Sequence, residues 1–411
     1  MECRPDVHGV NFKWKGVLLL PMELPPAATG NPIHNARGKM SFIRRLGLGC
    51  IVLAFLGLLY VPAYHSAQGP LGIGEVTSPS GPSWLSRYLE PVAELHGWTF
   101  NTSRNLNSYI HPQDNTTVLS PDDSCTLSAS PYLLIVVCSA VDHQKQRIAI
   151  RDTWASATDM SFYNSTSVKV LFLLGQSENE TLNNLVLEEN QEYGDIIQER
   201  FIDAYNNLTI KSVMLLKWVT TNCPQATYLM KTDDDMYINV DNLIKALKSR
   251  QRSSDTLIGS LICNARPILD PKNKWYTPKY MFSEKTYPNY LSGTGYVMSL
   301  DVAVKLYESA LSTPLLHLED VYITGLCARR AKLRPVDHPG FSYAQRKLDF
   351  CVLKSAITAH RVDTSTMHTI WNKLKNSNIT CQEKKVTVQH RHGRNFGYFS
   401  VKKRSTNNRC V

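Results

Sequence analysis

No CxxC pair occurs in the 411-residue sequence, which excludes a zinc ribbon. No internal repeat is present, so the chain is not a solenoid or an array. The glycine pair that stands out, in Tyr290–Ser299, lacks the lysine of a phosphate loop and does not lead from a strand into a helix, so neither nucleotide-loop fingerprint fits. A formal net charge of +10 is no nucleic-acid footprint here, because the basic residues are scattered rather than gathered into a stripe. Three short basic patches near the end, Lys384–Lys385, His390–Arg394 and Lys402–Arg404, read as a solvated tail over 382–411, with docking of an acidic glycan as the alternative.

What is present begins with Leu46–Tyr64, an uncharged apolar run close to the about 20 residues that a membrane helix needs. Lys39, Arg44 and Arg45 precede it, whereas His65–Ser86 holds no Lys or Arg. This asymmetry predicts a cytosolic tail over 1–45, a signal anchor over 46–64 and a luminal remainder. A cleaved signal peptide is the alternative, but its apolar core is shorter and nearer the start. A second start at Met40 would keep Arg44 and Arg45 and the same orientation. Six Asn-X-Ser/Thr sites, Asn101, Asn115, Asn164, Asn179, Asn207 and Asn378, all follow the run. The cysteines from Cys125 onward fall in the same compartment, where disulfides persist. Gly, Pro and Ser crowd the stretch after the span, which predicts a stem over 65–130 and a catalytic domain over 131–381.

From Tyr132 onward, buried-strand runs alternate with helical spacing. Strands are expected at Tyr132–Ser139, Val168–Leu174, Ile196–Ile197, Tyr228–Thr232, Leu257–Ile262 and Tyr296–Ser299. Helices are expected after the first strand around Ile148 and Ile150, then at Leu182–Tyr193, Thr209–Thr221, Asp301–Leu311 and Glu319–Arg330. The alternation predicts an α/β sandwich with a mostly parallel sheet and ligands beyond the carboxyl ends of its strands.

Asp233, Asp234 and Asp235 close one of those strands. Adjacent carboxylates repel one another, and a divalent cation relieves the repulsion; oxygen ligation suits Mg²⁺ or Mn²⁺ with substrate phosphates completing the shell. A helix cap or a solvated turn is the bland alternative. An EF-hand is excluded, since Ile238 and Ile244 stand where Gly and Glu are required. Gly293 and Gly295 would allow close approach of a ligand to the backbone ahead of a strand. Glu319 and Asp320 sit at a helix start, where acids also complement the helix dipole.

Six segments, in order, resemble the β-1,3-glycosyltransferase family, and within it the β-1,3-galactosyltransferases. They are Arg151–Trp154, Tyr228–Asn239, Lys274–Tyr276, Tyr287–Ser299, Leu315–Cys327 and Ala359–Asn372. The resemblance implies a GT-A-type nucleotide-sugar-binding fold and an inverting transfer from UDP-galactose to a glycan on protein or lipid. It further implies Mn²⁺ (or Mg²⁺) held by Asp235 and His360, and Asp320 as general base beside Glu319. Asp233, Asp234, Arg147, Arg151, Trp275, Gly293 and Gly295 would serve the donor, Trp275 and Tyr276 alternatively offering an apolar platform to a sugar or simply packing in the core. A single-pass Golgi membrane enzyme is the implied setting. A β-1,3-N-acetylglucosaminyltransferase and an inactive glycan-binding scaffold are the alternatives. Leu291 departs from the pattern, because many members carry Cys there, so no disulfide is carried over to that position.

Overall fold

The computed structural model describes residues 93–121, 125, 130–156, 167–375 and 381. The apolar run at Leu46–Tyr64, the sites Asn164 and Asn378 and the basic tail lie outside the described residues. Among the described residues no helix is long and apolar enough to cross a membrane.

Ten strands occur among the described residues: β1 (Thr117–Leu119), β2 (Leu133–Cys138), β3 (Val168–Gln176), β4 (Ile196–Ile202), β5 (Tyr228–Asp233), β6 (Met236–Ile238), β7 (Leu257–Ile262), β8 (Tyr290–Ser299), β9 (Val336–Asp337) and β10 (Thr358–His360). The longer α-helices are α1 (Gln144–Asp152), α2 (Glu180–Tyr193), α3 (Leu208–Asn222), α4 (Val240–Lys248), α5 (Leu300–Leu311), α6 (Phe350–Ser355) and α7 (Thr364–Lys375). Eight strands build one sheet in the order β1-β4-β3-β2-β5-β8-β7-β9, and β6 pairs with β10 in a separate ribbon.

All six side chains of β2 are buried, because both faces of the sheet are covered. Leu134 and Val136 point into one core with Val213 and Leu216 of α3 and Leu306 of α5. Leu133, Ile135 and Val137 point into the other with Ile150 of α1, Val186 of α2, Leu243 of α4 and Met367 of α7. This is the expected sandwich. The sheet is mixed rather than uniform: β4, β3, β2 and β5 run parallel, while β1 and β8 oppose their neighbours. The chain leaves β2 toward β3 and β4, then returns to place β5 on the other side of β2. That reversal makes the β2/β5 crevice the topological switch point, where α/β sheets bind ligands. Cys138 and Asp233 lie in register at its carboxyl edge.

The packed unit begins earlier than the expected boundary at 131. Trp98, Leu106 and Ile110 are buried, the Trp98 indole donates to the Asn206 carbonyl, and β1 forms the sheet edge against β4. These elements are too short and too polar to show a periodicity, so the sequence reads as stem. Cys125–Cys223 and Cys351–Cys381 are disulfides, whereas Cys138 and Cys327 are free and buried in the core. Leu291 is fully buried opposite Leu261 of β7.

Candidate active site

The three consecutive aspartates diverge in three directions. Asp233, the last residue of β5, takes the Lys231 ammonium at 2.7 Å. Asp234 turns toward the loop after β2, where it accepts from Ser139 Oγ and meets His143 Nδ1, both at 2.8 Å. Burial pushes the Asp234 carboxyl up, but the His143 and Ser139 hydrogen bonds outweigh it and leave it below its ordinary value. Asp235 lies half-exposed in the turn before β6.

The β6·β10 ribbon brings a distant segment to that turn. His360 pairs with Met236, and the Val362 N–H donates to the Asp235 carbonyl. His360 Nε2 thereby stands 3.3 Å from Asp235 Oδ2. The other ring nitrogen lies 2.9 Å from the Tyr343 carbonyl. A carbonyl only accepts, so in the neutral ring Nδ1 carries the proton and the Nε2 lone pair faces Asp235. A ligating histidine is oriented in the same way by its outer hydrogen bond. Among the described residues no three His, Cys, Asp or Glu gather into a cage. One carboxylate and one imidazole fit a cation that keeps most of its shell for water and phosphate, as Mg²⁺ and Mn²⁺ sites do.

Glu319 and Asp320 open the helical run expected over 319–330, whose middle, Val321–Cys327, takes π rather than α pitch. Asp320 accepts from the Val321 N–H at 2.8 Å and the Gly293 N–H at 3.2 Å. Burial, then the Glu319 charge, push its carboxyl up to about 6. Glu319 is bonded differently: Tyr296 donates to it at 2.5 Å and Lys231 reaches it at 3.5 Å. Lys231 also donates to the Gly293 carbonyl at 2.7 Å. One buried ammonium therefore ties Asp233 to Glu319 across the β5/β8 pair.

Both motif glycines lie inside β8 rather than before a strand, because the strand starts at Tyr290 and not at Tyr296. A Cβ on Gly293 would come within 3.1 Å of Glu319 Oε2 and 3.3 Å of Asp320 Cβ. The missing side chain thus admits the two carboxylates. A Cβ on Gly295 would meet Met230 and Thr232 at ordinary contact, 3.4 Å.

Arg147 is fully buried, and its guanidinium is bidentate to Glu189 while also donating to Ser139 Oγ and the Ala140 and Val141 carbonyls. Arg151 pairs with Glu189 and Asp195 beneath the Tyr193 ring. Both guanidiniums are engaged by the protein's own carboxylates, and Arg147 braces the loop that carries Ser139. Trp275 is half-exposed beside Lys274, whereas Tyr276 is buried and donates to the Ala93 carbonyl.

Sequence reasoning missed Lys231, Tyr296, His143, Ser139 and Tyr205. A lysine within the apolar run of β5 was the one available signal, since a buried lysine demands carboxylate partners.

An α/β sheet whose switch-point edge carries an acidic turn with a facing imidazole, and whose neighbouring strand β8 holds a carboxylate of raised proton affinity, suits an enzyme of group transfer. The Galactosyltransferase family model matches residues 145–339. Beta-1,3-galactosyltransferase 1 of Homo sapiens is 38% identical over 266 residues, 64% of this chain and 80% of that protein. Beta-1,3-galactosyltransferase 5 of Homo sapiens is 36% identical over 273 residues, 66% of this chain and 86% of that one. A solved glycosyltransferase involved in glycosylation of the major capsid of PBCV-1 overlaps 58% of this chain and 98% of its own at a TM-score of 0.32 and 11% identity. The chain is a glycosyltransferase and belongs to the β-1,3-galactosyltransferase family.

Proposed function

We propose that the chain is an inverting, metal-dependent UDP-galactose:glycan β-1,3-galactosyltransferase of the GT-A type, acting on protein- or lipid-borne glycans. The observation that carries it is a pair of acidic groups on adjoining strands: Asp235, facing His360, follows the end of β5, and Asp320 is bonded to Gly293 of β8, the strand that pairs with β5. A Mn²⁺ or Mg²⁺ ion held by Asp235 and His360 would supply charge stabilisation to the leaving diphosphate. Asp320 accepts the proton of the acceptor hydroxyl as its oxygen bonds to the anomeric carbon, while the bond to the diphosphate breaks and UDP leaves with the electron pair. Glu319 is held between Tyr296 and Lys231, and its charge helps to keep the proton affinity of Asp320 high. Asp234, fixed by Ser139 and His143, presents its other oxygen to the donor, and Asp233 does so opposite Lys231. Arg147 acts through the loop it braces, and Arg151 through the Glu189 that it shares with Arg147, rather than by touching the donor.

The apolar run at Leu46–Tyr64, the basic residues before it and the glycosylation sites after it support a single-pass type II placement in the Golgi membrane with the catalytic part luminal. Full-length protein in detergent, offered UDP-galactose and UDP-N-acetylglucosamine with a glycan array, tests the activity. Galactose transfer that requires Mn²⁺ and yields a β-1,3 linkage is expected. Preference for N-acetylglucosamine would move the chain to the sister activity.

A further inference from the structure

Tyr205 and Trp275 come from unrelated parts of the chain, yet they stand side by side with half of each exposed, 48% and 46%. The Lys274 ammonium lies over both rings, 4.8 Å from the Trp275 centroid and 5.9 Å from that of Tyr205. Among the described residues no carboxylate pairs with this ammonium, so only the rings hold it.

Both mounts are stiff. Tyr205 opens the one-turn helix Tyr205–Asn207, whose Asn207 amide donates to the Ile202 carbonyl. Two residues further on, the Thr209 hydroxyl donates to the Leu316 carbonyl at 2.6 Å, tying this corner to the segment that leads into Glu319 and Asp320. Trp275 is held through its main chain, because its backbone N–H donates to Asn273 Oδ1 and the neighbouring Tyr276 is buried and bonded. Burial, then the negative charge of Asp320 and, more weakly, that of Asp233, raise the Tyr205 phenol, so the ring lies within electrostatic reach of the Asp320 carboxylate. Trp275 hydrogen-bonds the same phenol.

We propose that Tyr205, Lys274 and Trp275 form an acceptor subsite that takes a pyranose ring of the acceptor glycan. This rests on the transferase reading above and adds the side from which the acceptor enters. A pyranose offers an apolar C–H face and a polar rim. The indole and phenol supply the flat apolar partner on a rigid mount, and such aromatic surface with a few placed polar groups is what small-ligand sites are made of. The ammonium, held only by ring faces, moves aside as the sugar stacks and donates to a hydroxyl or an acetamido oxygen on its rim. Trp275 thereby passes from the donor, where the family resemblance put it, to the acceptor.

The test uses full-length protein in detergent with UDP-galactose, and p-nitrophenyl β-N-acetylglucosaminide or p-nitrophenyl β-galactoside as acceptor. Trp275→Ala is expected to raise the acceptor KM by at least ~10-fold, an effect of about 1.4 kcal/mol. Under the same conditions the UDP-galactose KM should move far less, and Trp275→Phe should restore most of the loss. Lys274→Met should raise the acceptor KM in the same direction by a smaller factor. An unchanged acceptor KM, or a rise confined to the donor KM, overturns the subsite while leaving the transferase reading intact. Wild-type protein that uses UDP-galactose but takes neither glycoside also overturns it, since both present a pyranose face. Wild-type protein inert toward every UDP-sugar removes the parent reading and the subsite with it.

Discussion

His360 Nε2 faces Asp235 Oδ2 at 3.3 Å because two three-residue strands, far apart in the chain, pair Met236 with His360. The ribbon sets the distance, and the Tyr343 carbonyl sets which ring nitrogen faces inward. Asp235→Asn and His360→Ala should each weaken Mn²⁺ binding by about 10-fold or more, the loss of one ligand from a two-ligand site, and abolish most transfer. Mn²⁺ titration followed by paramagnetic resonance reads the affinity without relying on turnover, and melting should be unchanged. Full affinity in both variants would remove the metal assignment.

Asp320→Asn should lower turnover at least ~10²-fold with UDP binding retained, the usual scale for a lost general base. Glu319→Gln should cost less turnover, since Glu319 is already bound by Tyr296 and Lys231. A reversed ranking would make Glu319 the base.

The pH dependence rests on the same carboxyl. Asp320 titrates at about 6, so kcat/KM should fall as pH drops through 6 and the limb should vanish in Asp320→Asn. The sign for stability is the opposite one. A carboxyl raised above its ordinary 3.8 binds its proton more tightly in the folded state, so its contribution is present at low pH and lost as pH rises through 6. At a pH of about 7.5, well above that titration, the Asp320→Asn protein should therefore melt no lower than wild type, and higher if burial of the charge is the main cause.

Arg147→Met should remove the bidentate partner of the buried Glu189 and leave Arg151 as its remaining cation, at a cost below the about 3–5 kcal/mol usual for an uncompensated buried charge. Thermal melting checks the stability, and donor KM in the folded fraction checks the role. A variant of unchanged stability but raised donor KM would return Arg147 to direct contact with the donor.

The alternation of apolar runs made the sandwich legible, and the position of Asp233 at a strand end made its crevice legible too. Less could be read of β8. Its glycines depress strand propensity, so the first half reads as loop, yet at Gly293 a Cβ would crowd Glu319 and Asp320. The π turn after Asp320 is equally invisible, since apolar spacing does not tell one helical pitch from another over two turns. His360 could be singled out through the family resemblance but not by pattern, because the pairing that gives it a partner is a tertiary contact between two very short strands. Arg147 reads as a helix-surface or ligand-facing cation for a related reason: Glu189, which neutralises it, comes from another helix.

The β6·β10 ribbon also has a consequence for biosynthesis. His360 is made 125 residues after Asp235 (360 − 235), which at roughly 5–20 residues per second is a delay of about 6–25 seconds. Throughout that interval the aspartate turn can fold onto β2 and β5 with half of its cation pair still untranslated. On the proposed metal reading, competence for transfer waits on a segment made well after the aspartate turn that it completes.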